Sequence, residues 1–599
     1  MKKIFWLMVS CLMVSALVLA SCAPAEVEEE EEVITPEEEE VVTPEEEEVV
    51  TEGEGMVKVT ATKIDGTTIE LWKEKPKYGG ELVTSRSTDI RGFDPVYTPG
   101  SFMATRFYTN EELLYEDYTK SLAGTGEGGY WTGEVFSGVY VGSLAESWEV
   151  PDSRTVIFHI RQGVHWHDKP PVNGREFTAD DFVYSYLRNY NTPGTWHYTQ
   201  WPRELVDALE VTAPDKYTVV VKAPSPVAAE ILRVGGNWEF VVPREMVELH
   251  GDMTDWRNSC GTGPFELVDY VNMSSATFVR NPNYWQKHPW FGDQLPYVDS
   301  MKWLIIPDLS TRVAALRTGK ILALGVTWDE AEALIRTNPE LKWKENAPWG
   351  SWIIGMRTDK PELPFQDVRV RQALNLAFNN QAVIDDYYSG YAEMIDYPVS
   401  NFPENRLMYT PLEELPEVVQ ELYGYHPEKA KQLLAEAGYP NGFTTSIICT
   451  ATQVDLLSIV KDNWEKIGVI LNLEVREVPV YRSIDYRRSF EEMFMGGSIS
   501  YWPRSWNNFI PDNYLNNSMI DDPVMNEAIQ YWVDNSIDWE GCNRVAKEAF
   551  LHAFEQAWYV PIPTAYSFTF WQPWLKGYHG QGFLHYTWID QELKKEMGH

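Results

Sequence analysis

The body of the chain alternates short segments of β-branched and aromatic residues with longer amphipathic segments. Residues 155–160 read Thr-Val-Ile-Phe-His-Ile, which is typical of a strand, and residues 217–223 repeat this chemistry. Residues 177–190 predict a helix capped by Thr178, with two aspartates in the first turn and an apolar face. This alternation predicts a mixed α/β protein.

A second helix carries both of its boundaries in the sequence. Residues 426–443 start with Pro427, which suits a first turn, and finish with Gly438 and Pro440, which end a helix. Residues 261–285 instead predict a β-meander, because a Gly/Pro turn leads into the alternating pattern Phe-Glu-Leu-Val-Asp-Tyr.

The N-terminal segment has the features of an export signal. Two lysines precede a mostly apolar run at 4–20, which ends in Leu-Ala-Ser followed by Cys22. This ending resembles the lipobox of bacterial lipoproteins, so we expect cleavage of residues 1–21 and lipidation of Cys22. The alternative is an uncleaved transmembrane helix, but the run is at the short limit for crossing a bilayer of about 30 Å.

A highly acidic segment follows the signal. Residues 26–54 contain sixteen glutamates and two copies of an eight-residue repeat, with no aromatic residue. Like charges at this density repel one another, and the prolines interrupt helices, so this composition predicts an extended, disordered spacer. We therefore interpret residues 22–77 as a lipid anchor and acidic tether.

Charge and length limit the function of the remaining body. The whole chain has a net charge of −39, and without the tether's glutamates and the signal's two lysines the body still has −25. Nucleic-acid binding needs clustered lysines and arginines, so this class is excluded. A body of this length predicts two or three lobes. Cys260, Cys449 and Cys542 allow at most one disulfide within it.

Several blocks of the body, in order, resemble one family of receptors. The chain is similar to the extracytoplasmic solute-binding proteins of oligopeptide and dipeptide ABC importers, known as solute-binding family 5. The resemblance covers most of the body and is carried by LAESWEVPDSRTVIFHIRQGVHWHD at 144–168, GTGPFELVDY with VRNPNYW within 261–285, DVRVRQALNLAF at 367–378, YHPEKAKQLLAEAGYPNGF at 425–443, EKIGVILNLE at 465–474 and YSFTFWQPWLKGY at 566–578.

The resemblance implies a periplasmic-binding-protein-like α/β fold of type II, similar to cluster C, in which two hinged lobes close over a ligand and a smaller domain is attached. It implies these boundaries: lobe I at 78–118, 238–347 and 561–599, the extra domain II at 119–237, and lobe III at 348–560. The ligand would lie between lobes I and III.

The segment 501–515, YWPRSWNNFIPDNYL, is the best candidate for ligand contacts. Peptide-binding members of the family carry an aspartate before the Pro-Asp-Asn-Phe-Leu-like ending, and this aspartate pairs with the free α-amino group of the peptide. Here Asn507 takes its place, and an amide cannot neutralise an ammonium group. Arg504 instead favours a carboxylate or phosphate group on the ligand.

Aromatic residues in and near this segment would stack on rings or apolar groups of a ligand, although some of them would belong to the core of lobe III. We expect Trp506→Ala to weaken binding with little effect on the melting temperature. The predicted ligand-binding residues are Tyr501, Trp502, Arg504, Trp506, Asn507, Phe509, Trp349 and Trp352.

Three functions fit the sequence. The first is a receptor, bound through its lipid anchor to the extracytoplasmic face of the membrane, that delivers a peptide, an oligosaccharide or another solute to an ABC permease. The second is an anchored glycoside hydrolase, and the third is a surface adhesin. We favour the receptor hypothesis, which predicts a monomer with no catalytic residue.

Metal and cofactor sites are not indicated. His165 and His167 would share one face of a strand, but no third ligand is spaced to complete a metal site. We therefore expect neither a metal nor a cofactor.

Overall fold

The structure is a computed structural model, and it describes residues 55–97, 108–128, 139–193, 195, 198, 203–226, 240–348, 350–394, 397–401, 405–500, 502–535, 537–580 and 585–599. These residues belong to one compact unit, Val49–His599. Within them, no helix combines the length and the apolar run needed to cross a bilayer. The predicted signal, Cys22 and the glutamate repeats lie outside the described residues.

Strands and helices alternate along the unit. The strands are β1 Met56–Thr62, β2 Thr68–Glu74, β3 Glu81–Arg86, β4 Leu114–Glu116, β5 Tyr140–Gly142, β6 Ala145–Asp152, β7 Thr155–Ile160, β8 Glu210–Asp215, β9 Thr218–Lys222, β10 Phe265–Val271, β11 Ser275–Arg280, β12 Ser300–Ile305, β13 Ala323–Val326, β14 Lys342–Asn346, β15 Trp352–Met356, β16 Ala392–Glu393, β17 Thr444–Cys449, β18 Ile470–Val475, β19 Met493–Gly497, β20 Tyr559–Pro561, β21 Thr564–Ala565, β22 Ser567–Trp571, β23 Leu575–Lys576 and β24 Trp588–Ile589.

The helices are α1 Ala179–Asn191, α2 Arg203–Asp207, α3 Arg244–His250, α4 Leu309–Arg317, α5 Trp328–Thr337, α6 Val368–Leu376, α7 Asn380–Ala382, α8 Glu417–Tyr423, α9 Pro427–Glu436, α10 Val454–Glu465, α11 Val478–Arg487, α12 Pro523–Asn535, α13 Trp539–Gln556 and α14 Gln591–Glu596. The predicted mixed α/β class is confirmed.

The segment assigned to domain II contains an antiparallel sheet in the order β6-β7-β9-β8. Helix α1 packs on this sheet, and its first turn forms a capping box in which Thr178 and Asp181 satisfy each other's backbone amides. Asp181 also accepts two hydrogen bonds from Arg175 at 2.6 and 2.8 Å. The strands and the helix predicted here from local pattern are confirmed.

Lobe I, with its predicted boundaries, contains a four-stranded sheet and a three-stranded sheet, besides the short pair β23-β24. One has the order β10-β11-β12-β3 and includes the predicted meander, and the other has the order β13-β22-β14. Strand β22 lies between β13 and β14 and pairs antiparallel with both. Lobe I is therefore assembled from distant parts of the sequence.

Lobe III contains a five-stranded sheet in the order β18-β17-β19-β15-β20. Strand β17 runs parallel to β18 and β19, whereas β15 runs antiparallel to both β19 and β20. The predicted helix in 426–443 is present as α9, and Gly438 follows it at a φ of +95°. The predicted boundary between residues 560 and 561 falls within β20.

The two arginines near the start of helix α6, Arg369 and Arg371, have structural partners. The guanidinium of Arg371 is buried and donates to the backbone oxygens of Phe365 and Gln556 at 2.8 and 2.9 Å. Arg369 forms an ion pair with Asp367, the residue that caps α6. Both guanidinium groups therefore contact protein groups in the structure.

Two chain segments connect lobe I to lobe III between these sheets. Strand β14 of lobe I is followed after five residues by β15 of lobe III, and β20 returns to β22 of lobe I. Because β14 pairs with β22 and β15 pairs with β20, the segments run side by side as an antiparallel ribbon. Such a double crossing is the arrangement expected of a hinge.

The interpretation of residues 22–77 as a tether is wrong at its C-terminal end. Strands β1 and β2 pair in register from Met56↔Glu74 to Thr62↔Thr68 and form a hairpin, which we call the N-terminal hairpin. Val59 and Ala61 are buried on one face. The alternation of apolar and polar residues around an Asp-Gly turn explains this structure, since both features favour a hairpin.

The three cysteines and His167 are buried, whereas His165 is exposed. Cys260, Cys449 and Cys542 are buried free thiols in three different hydrophobic clusters. Burial lowers the pKa of His167 to about 4, and a ring nitrogen of this residue lies 3.0 Å from the Gly263 oxygen. No group of three metal-ligating side chains occurs among the residues that the structure describes.

Candidate ligand-binding site

The candidate segment begins at the end of β19, beside the hinge strand β15. Buried hydroxyl groups connect the two strands, with Ser351 Oγ 2.8 Å from Ser498 Oγ and Ser498 Oγ 2.9 Å from Ser500 Oγ. Asn405 extends this network, because its side-chain amide donates to the Ser500 oxygen and its oxygen accepts from the Trp502 amide, both at 2.9 Å. The start of the segment is therefore held firmly against the lobe III sheet.

Three of the predicted stacking rings lie in the core of lobe III. Trp502, Trp506 and Phe509 are 5%, 1% and 0% exposed. Their ring centroids lie 6.0, 5.1 and 5.9 Å from that of Phe550, which belongs to α13. These rings stabilise the lobe, and in this state they present no open face for stacking. Their assignment as ligand contacts remains a prediction.

The same layer contains buried hydrogen-bond donors that no described protein group accepts. They are Trp502 Nε1, Ser505 Oγ and Trp506 Nε1. An unpaired buried donor costs about 1–3 kcal/mol, so such groups require an explanation. These three groups are therefore the polar atoms of this buried layer for which the described residues offer no acceptor.

Arg504 and Asn507 lie on a short 3₁₀ helix, Arg504–Asn508, and both are half-buried. Asp512, the only acid of the segment, is fully exposed and lies 3.8 Å from Arg488. Burial raises the pKa of Tyr514, and the positive charge of Arg504 opposes this shift. The segment therefore combines a cation and an amide at its surface with no buried carboxylate among its described residues.

Trp352 is the most open of the predicted rings that the structure describes. It begins β15, is 36% exposed and pairs across the sheet with Gly497 of β19. Paired residues project from the same face. Among the described residues, apart from the two chain neighbours, no heavy atom lies within 4 Å of the place where a Cβ of residue 497 would stand. An open space therefore borders the indole, close to the start of the candidate segment.

Part of the predicted set lies on neighbouring elements. Trp352 lies on β15, and Arg504 and Asn507 lie in the segment that leaves the paired strand β19. Trp349 and Tyr501 lie outside the described residues. The sequence reasoning missed Gly497 and Asn405, although the Gly-Gly pair at the end of β19 was a signal for close approach in a strand.

Comparison with protein families agrees with the resemblance found in the sequence. The model of bacterial extracellular solute-binding proteins, family 5 Middle, matches residues 139–519. The chain is 30% identical over 477 residues to heme-binding protein A of Haemophilus influenzae, covering 73% of this chain and 81% of that protein. It is 26% identical over 458 residues to the dipeptide-binding protein of Escherichia coli, covering 72% of this chain and 77% of that protein.

Solved structures show the same fold. A periplasmic binding protein, DppA, from Helicobacter pylori in complex with the peptide STSA superposes with a TM-score of 0.66 at 24% identity, covering 86% of this chain and 99% of that one. HbpA2 of Haemophilus parasuis superposes with a TM-score of 0.67 at 23% identity, covering 85% and 98%. These similarities show the periplasmic-binding-protein fold.

Proposed function

The chain belongs to family 5 of the bacterial extracellular solute-binding proteins, and from this membership we propose that it captures a peptide-like solute and delivers it to an ABC permease. The observation that carries the proposal is the double crossing of the chain between the two lobes. The exposed Trp352 and the open position at Gly497 lie directly beside this crossing. Motion at the hinge would therefore act on the candidate site.

Capture follows from this geometry by a shift of populations. A solute that contacts both lobes binds the closed form more tightly than the open form, so its binding favours closure. The permease then distinguishes closed receptors from open ones. No bond in the solute changes in this cycle, and binding energy alone drives it.

The site favours particular ligand chemistry. The half-buried Arg504 suits a carboxylate, since a guanidinium pairs with two carboxylate oxygens at once. Asn507 provides no counter-charge for a free α-amino group. We propose a peptide-like molecule whose amino end is blocked or lies elsewhere. The peptide-binding relatives support a peptide over the oligosaccharide alternative.

The attachment of the receptor is a further part of the proposal. The lipobox-like sequence ending in Cys22 supports an acylated N-terminus at the outer face of the membrane. The glutamate-rich residues 26–54 would then space the folded body from the lipid surface. A tether of this kind would let a monomeric receptor reach permeases nearby.

The variant Gly497→Leu tests this site, because its side chain would fill the space beside Trp352. Its backbone φ is not in the left-handed region, so leucine is tolerated there. We expect native mass spectrometry to show one retained solute per wild-type chain, with unchanged mass after release. We expect Gly497→Leu to bind at least about tenfold more weakly and to remain folded, because about 1.4 kcal/mol of contact is lost.

The probes for titration are trialanine, N-acetyl-trialanine, maltotriose and haem, and Gly497→Ala is the smaller control. Cleavage of any probe would support the hydrolase. Failure of the wild type to retain any solute, or equal affinity in Gly497→Leu, would contradict the proposed receptor site.

A further inference from the structure

The N-terminal hairpin is attached to lobe I at its base. Glu74 forms an ion pair with Lys576 at 3.3 Å, and Lys73 Nζ lies 5.8 Å from the ring centroid of Trp290. Both partners belong to lobe I. The hairpin therefore has a fixed base on that lobe, and its turn at residues 63–67 projects away from the attachment.

The turn contacts the segment that follows β4. The Ile64 amide donates to both carboxylate oxygens of Glu127, at 3.0 and 3.2 Å, and the Thr125 hydroxyl donates to the same carboxylate at 2.8 Å. This segment is itself held on lobe I, because the Tyr118 hydroxyl donates to the Gly577 oxygen at 3.4 Å and its ring stacks on Tyr586 at 3.9 Å.

Lobe III contacts the same place from the opposite side. Ile64 and Ile499 both pack against the buried side chain of Val139, and an Arg406 guanidinium nitrogen donates to the Glu127 backbone oxygen at 3.2 Å. Ile499 and Arg406 are lobe III residues. Asn508 fixes Ile499 by donating to its oxygen at 2.8 Å, so this contact is continuous with the candidate ligand segment.

We propose that the turn of the N-terminal hairpin is a clasp that holds lobes I and III together around a bound solute, with Ile64 as its main positioning residue. Glu127 and Val139 lie in the segment assigned to domain II, and there they join the hairpin, which is attached to lobe I, to Arg406 and Ile499 of lobe III. These contacts are separate from the hinge ribbon that connects the lobes covalently. Opening at the hinge separates such groups and breaks their contacts. The clasp therefore stabilises the closed state selectively, and this role rests on the proposed receptor function.

A clasp affects release more than capture. The open form, which the solute enters, lacks the clasp contacts, so their loss leaves the association rate nearly unchanged. The closed form loses stabilisation, so the solute escapes faster. Loss of a residue that only stabilised the hairpin would not raise the dissociation rate while leaving the association rate unchanged.

The test compares Ile64→Ser with Val57→Ser. Val57 lies on β1 of the same hairpin, is 39% exposed and does not belong to the cluster at Val139, so it is a matched control. With N-acetyl-trialanine as the probe, we expect Ile64→Ser to raise the dissociation rate about fivefold or more, within the usual range of conformational coupling, and to change the association rate less than twofold. Val57→Ser should leave both rates as in the wild type.

A second measurement needs no ligand. Deuterium uptake at residues 498–500 of the unliganded protein should be faster in Ile64→Ser than in Val57→Ser, because the clasp protects this segment whenever the lobes close. Unchanged dissociation and unchanged uptake in Ile64→Ser would overturn the clasp. A wild type that binds no probe would contradict the receptor function instead, and the uptake comparison alone would then decide whether the clasp exists.

Discussion

Replacing Trp506 with alanine is expected to lower the free energy of unfolding by about 3–5 kcal/mol, the usual cost of removing a large aromatic ring from a packed core. The indole is 1% exposed, and its ring centroid lies 5.1 Å from that of Phe550 and 5.5 Å from that of Trp502. Its removal leaves a cavity between the segment and α13. Equilibrium denaturation in urea measures the loss. Because the indole is buried, we now expect a large loss of stability, in place of the sequence-based expectation that Trp506→Ala would have little effect on the melting temperature.

Trp352→Ala is the matched control, since it removes the same side chain from an exposed position. It should cost less than about 1 kcal/mol of stability, which is usual for surface changes, and should weaken solute binding instead. If Trp506→Ala unfolded at the same urea concentration as the wild type, the packing described for lobe III would be incorrect.

Introducing a carboxylate at the position of the family's amine-binding aspartate is expected to change specificity. Asn507→Asp should increase the affinity for trialanine by roughly 10- to 100-fold, because a hydrogen bond between charged groups contributes about 1.5–3 kcal/mol. Affinity for N-acetyl-trialanine, which has no ammonium group, should not rise. Isothermal titration calorimetry of both peptides against both proteins measures this difference.

Asn513→Asp adds the same charge six residues further along the segment and serves as the control. Asn513 accepts a hydrogen bond from the Leu515 amide at 3.0 Å, so a carboxylate there keeps the local turn. An equal gain in Asn513→Asp would indicate general attraction rather than a specific site. No gain in Asn507→Asp would show that residue 507 does not face the ligand's amino end.

Elements governed by local rules could be predicted from the sequence. The α1 boundary at Thr178, the end of α9 before Gly438 and the strand at 155–160 depend on capping, backbone freedom and β-branched side chains within a few residues. The resemblance carried by several blocks added the fold and the family. The local elements and each block of the resemblance can be recognised from residues that are adjacent in the sequence.

Features that depend on distant residues could not be predicted in this way. The burial of Trp506 depends on Phe550, more than forty residues away, and the open space at Gly497 depends on which strand lies opposite. The N-terminal hairpin was missed for another reason. Its short alternating pattern directly follows the glutamate repeats, and their composition dominated the interpretation of the whole region.

The central claim is that two hinged lobes close around an unaltered solute. Small-angle X-ray scattering of the protein, with and without the solute identified by native mass spectrometry, tests it most directly. The account predicts that the radius of gyration falls as the solute is added and becomes constant at one molecule per chain. Tight binding at the same stoichiometry with an unchanged radius of gyration would contradict it.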